Sequence, residues 1–274
     1  MPEHLITSGQ TRLAAAQDGA GAPVVLLHGL TATRRYVVMG SRALERSGHR
    51  VIAYDARGHG RSDPASRPEA YEYSDLVEDL EAVLDFFGLA AAVFAGASMG
   101  AHTILGLALE RPERVKGLVV ITPGYDPPTT EDPARLARWD QLASGLEQGG
   151  VDGFLRAYGV PEVPPAWRDT VIRVVEQRMA LHEHPGAVAD ALRVVPRSRP
   201  FAALEDLGRV GAIPVVVVAS NDQADPGHPQ ALGEAYAEAI PGARLILDEP
   251  GRSPIAWQGS QLSRIIGEVA GEAG

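Results

Sequence analysis

The chain contains no cysteine. Disulfides, thiolate metal sites and cysteine nucleophiles are excluded at once. No apolar run reaches the ~18 residues that suggest a membrane span. The opening stretch, "MPEHLITSGQTRLAAAQDG", lacks the basic region and apolar core of a signal peptide. Positive charge is in deficit: 25 Lys and Arg stand against 35 Asp and Glu, for a formal net charge of −10. That balance argues against nucleic acid or an anionic membrane as a partner. The expectation from these absences is a cytoplasmic protein. What is present is enough for a core: hydrophobic residues make up 45% of 274 positions, a length that suits one domain, with or without an insertion.

Six short, nearly all-apolar runs mark expected strands: "PVVLLHG" (23–29), "HRVIAYDARGHGRS" (49–62), "AVFAGASMG" (92–100), "VKGLVVITPG" (115–124), "AIPVVVVAS" (212–220) and "ARLILDEPG" (243–251). Such runs fit strands covered on both faces. Helical patterns lie between them, at 73–88, 100–112 and 228–242. The alternation predicts an α/β fold with a mostly parallel sheet and helices on both faces. Residues 125–205 break the rhythm with helical patterns separated by proline and glycine. They are expected to form a helical lid insertion, with the core formed by 1–124 and 206–274.

Chemistry enters at "VFAGASMGAH", where Gly96-x-Ser98-x-Gly100 ends a strand and opens a helix. That context makes a nucleophile elbow, a sharp turn presenting Ser98 beside the free N–H groups of a helix N-terminus. His28-Gly29 ends an earlier strand. The N–H groups of Leu30 and Met99 together are expected to form a two-donor oxyanion hole. His28 and His102 are expected near the substrate. His28 also reads as a structural hydrogen-bonder, and His102 as a residue packed beneath the elbow.

The succession "VVLLHG", "VIAYDARGHGRSD", "GASMGAH", "RPERVKGLVVITPG" and "IPVVVVAS" resembles the α/β-hydrolase superfamily, in its lid-bearing esterase, lactonase and carbon–carbon-bond hydrolase branch. The likeness spans nearly all the chain outside the lid. It implies an eight-stranded, mostly parallel sheet and a Ser–acid–His triad in that chain order. It also implies a structural role for His59 in "DARGHGRS". The acid is expected after "PVVVVAS". Counting forward from the strand selects Asp222; counting back from the next helix, through "DPGHP", selects Asp225.

The family's histidine is expected after the last strand, where "DEPGRSP" carries Arg252 instead. Arginine stays protonated and has no acceptor, so it cannot be the base. It could pair with the acid or hold a substrate carboxylate. The base is therefore absent or displaced. The candidates for a displaced base are His228 in the acid loop, His102, and His182 and His184 in the lid. No metal cluster and no cofactor are indicated; His182-x-His184 would alternate faces on a helix and lacks an acidic partner. The expected partner is a small-molecule substrate, with a homodimer open. Three functions remain in view: a serine hydrolase of an ester, thioester or lactone; a non-hydrolytic biosynthetic enzyme on the same fold; and a catalytically inactive small-molecule-binding protein.

Overall fold

A computed structural model describes residues 3–221, 225, 227–248 and 257–274. The eight strands are β1 (Glu3–Ser8), β2 (Thr11–Asp18), β3 (Ala22–Leu27), β4 (His49–Tyr54), β5 (Ala92–Ala97), β6 (Val115–Ile121), β7 (Val215–Ala219) and β8 (Arg244–Leu247). They form one sheet in the order β1-β2-β4-β3-β5-β6-β7-β8. The pairs β1/β2 and β2/β4 are antiparallel, and every later pair is parallel. The expected fold class is observed. All six apolar runs form strands. The β1–β2 hairpin was not among them, because its alternating residues and the Ala-rich "LAAA" carry little apolar-run signal. Gly9, at φ 55°, makes its turn.

The helices are α1 (Ala43–Arg46), α2 (Tyr73–Phe86), α3 (Met99–Glu110), α4 (Pro133–Tyr158), α5 (Arg168–Met179), α6 (Pro185–Val194), α7 (Gln230–Ala239) and α8 (Gly259–Glu272). Strand alternation sends side chains to two cores. Val215 and Val217 of β7 join α2, α3 and α7 on one face. Val216 and Val218 join α1 and α8 on the other. Among the described residues no helix is long and apolar enough to cross a membrane.

Between β6 and β7 lie α4, α5 and α6, the region read as helical. Helix α4 breaks at Gly149 and Gly150, whose backbone angles are not helical. Helix α5 ends at Met179, so His182 and His184 follow it and do not alternate faces on it. A third apolar cluster joins Leu142, Leu146, Phe154, Val175, Met179 and Val188 from these helices to Leu30 and Met99. A reciprocal clamp fixes the same segment to the loop after β4: the Gly60 N–H donates to His182 Nδ1 at 2.9 Å, and the Glu183 N–H donates to the Gly60 carbonyl at 2.9 Å. The helical segment thus packs over the residues on either side of the elbow.

Candidate active site

The strand–turn–helix at β5 and α3 places Ser98 at φ 48°, ψ −110°. This is a sparsely populated conformation for a residue with a side chain, and it persists because both flanking glycines allow close packing. A Cβ on Gly96 would stand 2.3 Å from the Gly100 carbonyl oxygen; one on Gly100 would stand 2.4 Å from the Leu27 carbonyl oxygen. The turn is tied down by the Ser98 N–H donating to the Ile121 carbonyl at 2.9 Å and the Gly100 N–H donating to the His28 carbonyl at 3.1 Å. Ser98 is half-buried.

A histidine from the loop between β7 and α7 meets Ser98. His228 Nε2 lies 2.9 Å from Ser98 Oγ. Its Nδ1 lies 2.9 and 3.0 Å from the two carboxylate oxygens of Asp225. Asp225 and His228 are three positions apart in the chain. Their spacing is set by the turn between β7 and α7, where the Asp225 N–H donates to the Asn221 carbonyl and the His228 N–H to that of Asp225. Asn221 is in turn held by Asp248 at the end of β8, through its N–H at 2.6 Å and its side-chain amide at 2.7 Å. Of the two acid candidates, Asp225 meets a histidine; Asp222 and Arg252 lie outside the described residues.

The electrostatics of the pair follow from this contact. Burial alone pushes the His228 imidazole towards the neutral form, but the charge and hydrogen bond of Asp225 raise its pKa above the ordinary 6.5. Burial likewise pushes the Asp225 carboxyl up, and His228 brings it below its ordinary value.

Two expected substrate contacts are corrected. His28 is buried, donates from Nδ1 to the Gly29 carbonyl at 2.8 Å and accepts the Ala56 N–H at Nε2 at 2.9 Å. Both nitrogens are used by one neutral tautomer, and burial drives the pKa well down. His102 is also buried. Its Nε2 accepts the N–H groups of Gly124 and Tyr125, each at 3.1 Å, and its Nδ1 meets the Tyr73 hydroxyl at 2.9 Å. Burial lowers its pKa to about 3. Neither ring has a nitrogen left for a substrate, so both are scaffold groups. His182, a candidate base, is committed to the Gly60 clamp. His59 fits its expected structural place, its ring nitrogens lying 2.9 Å from the Arg57 carbonyl and 2.8 Å from the Leu30 carbonyl. No hydrogen bond to a described residue occupies the N–H of Leu30 or of Met99.

Sequence reasoning missed Gly124. A Cβ there would stand 2.9 Å from His228 Cδ2 and 3.8 Å from Ser98 Oγ. The only trace in the sequence was a glycine closing the "VITPG" run. It also missed Arg178 on α5, which acts electrostatically on both Asp225 and His228.

The family profile described as alpha/beta hydrolase fold matches residues 22–175. The chain belongs to the α/β-hydrolase fold family. A relative from Pseudomonas savastanoi pv. phaseolicola, named "Putative carbamate hydrolase RutD", is 30% identical over 85% of this chain and 87% of its own length. Among solved structures, a hydrolase from Pseudomonas aeruginosa PA01 is 26% identical, with TM-score 0.73, covering 99% of this chain and 98% of the other. A thermophilic esterase from Thermogutta terrifontis shares the fold, with TM-score 0.81 at 24% identity, covering 100% and 99%. The three proteins just described are named as a putative carbamate hydrolase, a hydrolase and an esterase, and this chain carries Ser98 at the turn from β5 into α3.

Proposed function

We propose that the protein is a serine hydrolase of a small carboxylic ester, thioester or lactone, with Ser98 as nucleophile, His228 as general base and Asp225 as the orienting acid. A carbamate, the substrate class in the RutD relatives' name, would be opened by the same acyl chemistry. The observation that carries the reading is the continuous contact from Asp225 through His228 to Ser98, at 2.9 Å for each link. This is the arrangement of a Ser–His–Asp triad, defined by geometry and not by chain position.

The Ser98 hydroxyl attacks the substrate carbonyl while His228 Nε2 takes its proton. Asp225 holds the Nδ1–H and stabilises the imidazolium that forms. The N–H groups of Leu30 and Met99 receive the developing oxyanion. His228 then gives its proton to the leaving oxygen, and an acyl-Ser98 ester remains. Water, deprotonated by the same nitrogen, attacks that ester and releases the acid, returning the proton to Ser98. The helical segment 125–205 serves as the lid, since it packs against Leu30 and Met99.

The test is hydrolysis of p-nitrophenyl acetate and butyrate by wild type, Ser98→Ala and His228→Ala. Triad members act as a unit, and removing one can cost ~10⁶ in kcat. Both variants should fall by several orders of magnitude. Full activity in Ser98→Ala would exclude the serine mechanism; full activity in His228→Ala alone would place the base elsewhere.

A further inference from the structure

Arg178 occupies the last turn of α5, between Val175 and Met179, which pack in the cluster containing Leu30 and Met99. Its Nε is sealed from solvent without a hydrogen-bond partner. Among the described residues the guanidinium makes no ion pair and no hydrogen bond. It lies within electrostatic reach of Asp225, Tyr158 and Tyr36. Neither phenol hydroxyl is hydrogen-bonded to a described residue. Arg178, at the end of α5, thus lies within electrostatic reach of both Asp225 and His228, with Tyr158 from the end of α4 and Tyr36 from the 3₁₀ turn Arg34–Tyr36 within the same reach of its guanidinium.

The Arg178 side chain is half-buried, and a cation partly removed from water and left without a counter-ion is costly. Its place beside the base adds a second cost. The mechanism needs His228 to become an imidazolium, and Arg178 opposes that charge. Both costs are relieved if an anion arrives with the substrate. The guanidinium fork suits a carboxylate, which it can grip through two parallel hydrogen bonds.

We propose that Arg178, with Tyr158 and Tyr36 beside it, recognises a carboxylate carried by the substrate, so that the preferred substrates are anionic esters or lactones. This rests on the ester-hydrolase reading of Ser98. Binding of the carboxylate orients the reacting carbonyl and neutralises Arg178 as the imidazolium forms.

Two matched pairs test it: p-nitrophenyl hexanoate against mono-p-nitrophenyl adipate, and phenyl acetate against 4-acetoxybenzoate. They carry the carboxylate in the acyl half and in the leaving half. A hydrogen bond to a charged group is worth ~10- to 100-fold. Wild type should prefer one anionic ester over its neutral partner by about that factor in kcat/KM, chiefly through KM. Arg178→Gln should bring the ratio near unity, and Arg178→Lys should restore part of it. No anionic preference, or an equal loss on both members of each pair in Arg178→Gln, overturns the proposal. A protein that hydrolyses none of the four esters would instead refute the hydrolase reading. Calorimetric binding of adipate to Ser98→Ala then decides the role of Arg178. Binding that weakens at least ~10-fold on adding Arg178→Gln supports it, and binding that is absent or unaffected overturns it.

Discussion

Replacing Gly124 by alanine tests the displaced base without touching Ser98, His228 or Asp225. The new methyl carbon would stand 2.9 Å from His228 Cδ2, 3.4 Å from its Nε2 and 3.8 Å from Ser98 Oγ. Carbon atoms pack comfortably at about 3.5 Å or more, so one side must retreat by about 0.6 Å. The loop is poorly able to do so, because the Gly124 and Tyr125 N–H groups are both held by His102 Nε2 at 3.1 Å. The imidazole must therefore swing away, stretching a 2.9 Å contact to Ser98. A displacement of about 1 Å at a reacting group can cost ~10² in rate, so a loss of about 10- to 100-fold in kcat is expected. The phi angle of Gly124 is not positive, so alanine adds no backbone strain and Tm should change little. The assay is p-nitrophenyl butyrate hydrolysis in parallel with fluorophosphonate labelling of Ser98. In a His228→Ala background the same substitution should add almost nothing, since the group it displaces is gone. A folded Gly124→Ala protein with wild-type kinetics would refute the placement of His228 as the base.

The remaining expectations concern protons and the vacant histidine place. Because His228 must be neutral to act and its pKa is raised, kcat/KM should climb with pH through an apparent pKa above 6.5; Asp225→Asn should move that limb down in a pH–rate profile. His102 and His182, each with a pKa lowered to about 3, stay neutral in the fold but take up protons when unfolded below pH 6.5. Stability should therefore fall with pH below that point, by up to about 2.7 kcal/mol per unit for the two. Asp55 and Asp79, whose pKa values burial raises, oppose the trend between their ordinary 3.8 and their raised folded values. Urea titrations at pH 6.5, 5.5 and 5.0 check it; a slope that is flat, and unchanged in His182→Ala, would contradict it. Arg252→His should give no more ester hydrolysis than Arg252→Ala, because the proposed triad already takes its base from His228; a large gain in the histidine variant alone would mean that the native site lacks a working base.

What could be read in the chain was what neighbouring residues decide among themselves. The buried strands are contiguous apolar runs, and their rhythm with helical patterns specifies a parallel sheet. The elbow spans five residues, and the clashes that demand Gly96 and Gly100 arise within the strand–turn–helix and its neighbour β3. The β1–β2 hairpin was missed because its pattern is weak where apolar runs are the signal. The histidine that meets Ser98 belonged to another level. His228 stood among several histidines with no periodicity to orient it, since a loop has none. Only the folded turn from β7 to α7 set its two nitrogens on Asp225 and Ser98. His28 and His102 also read as structural groups in the sequence, and the fold uses their ring nitrogens on backbone groups and, for His102, on the Tyr73 hydroxyl. Arg178 is 80 residues from Ser98 along the chain. The packing of α5 against Leu30 and Met99 brings it within electrostatic reach of Asp225 and His228, because burial and charge add up over distances in space and not along the sequence.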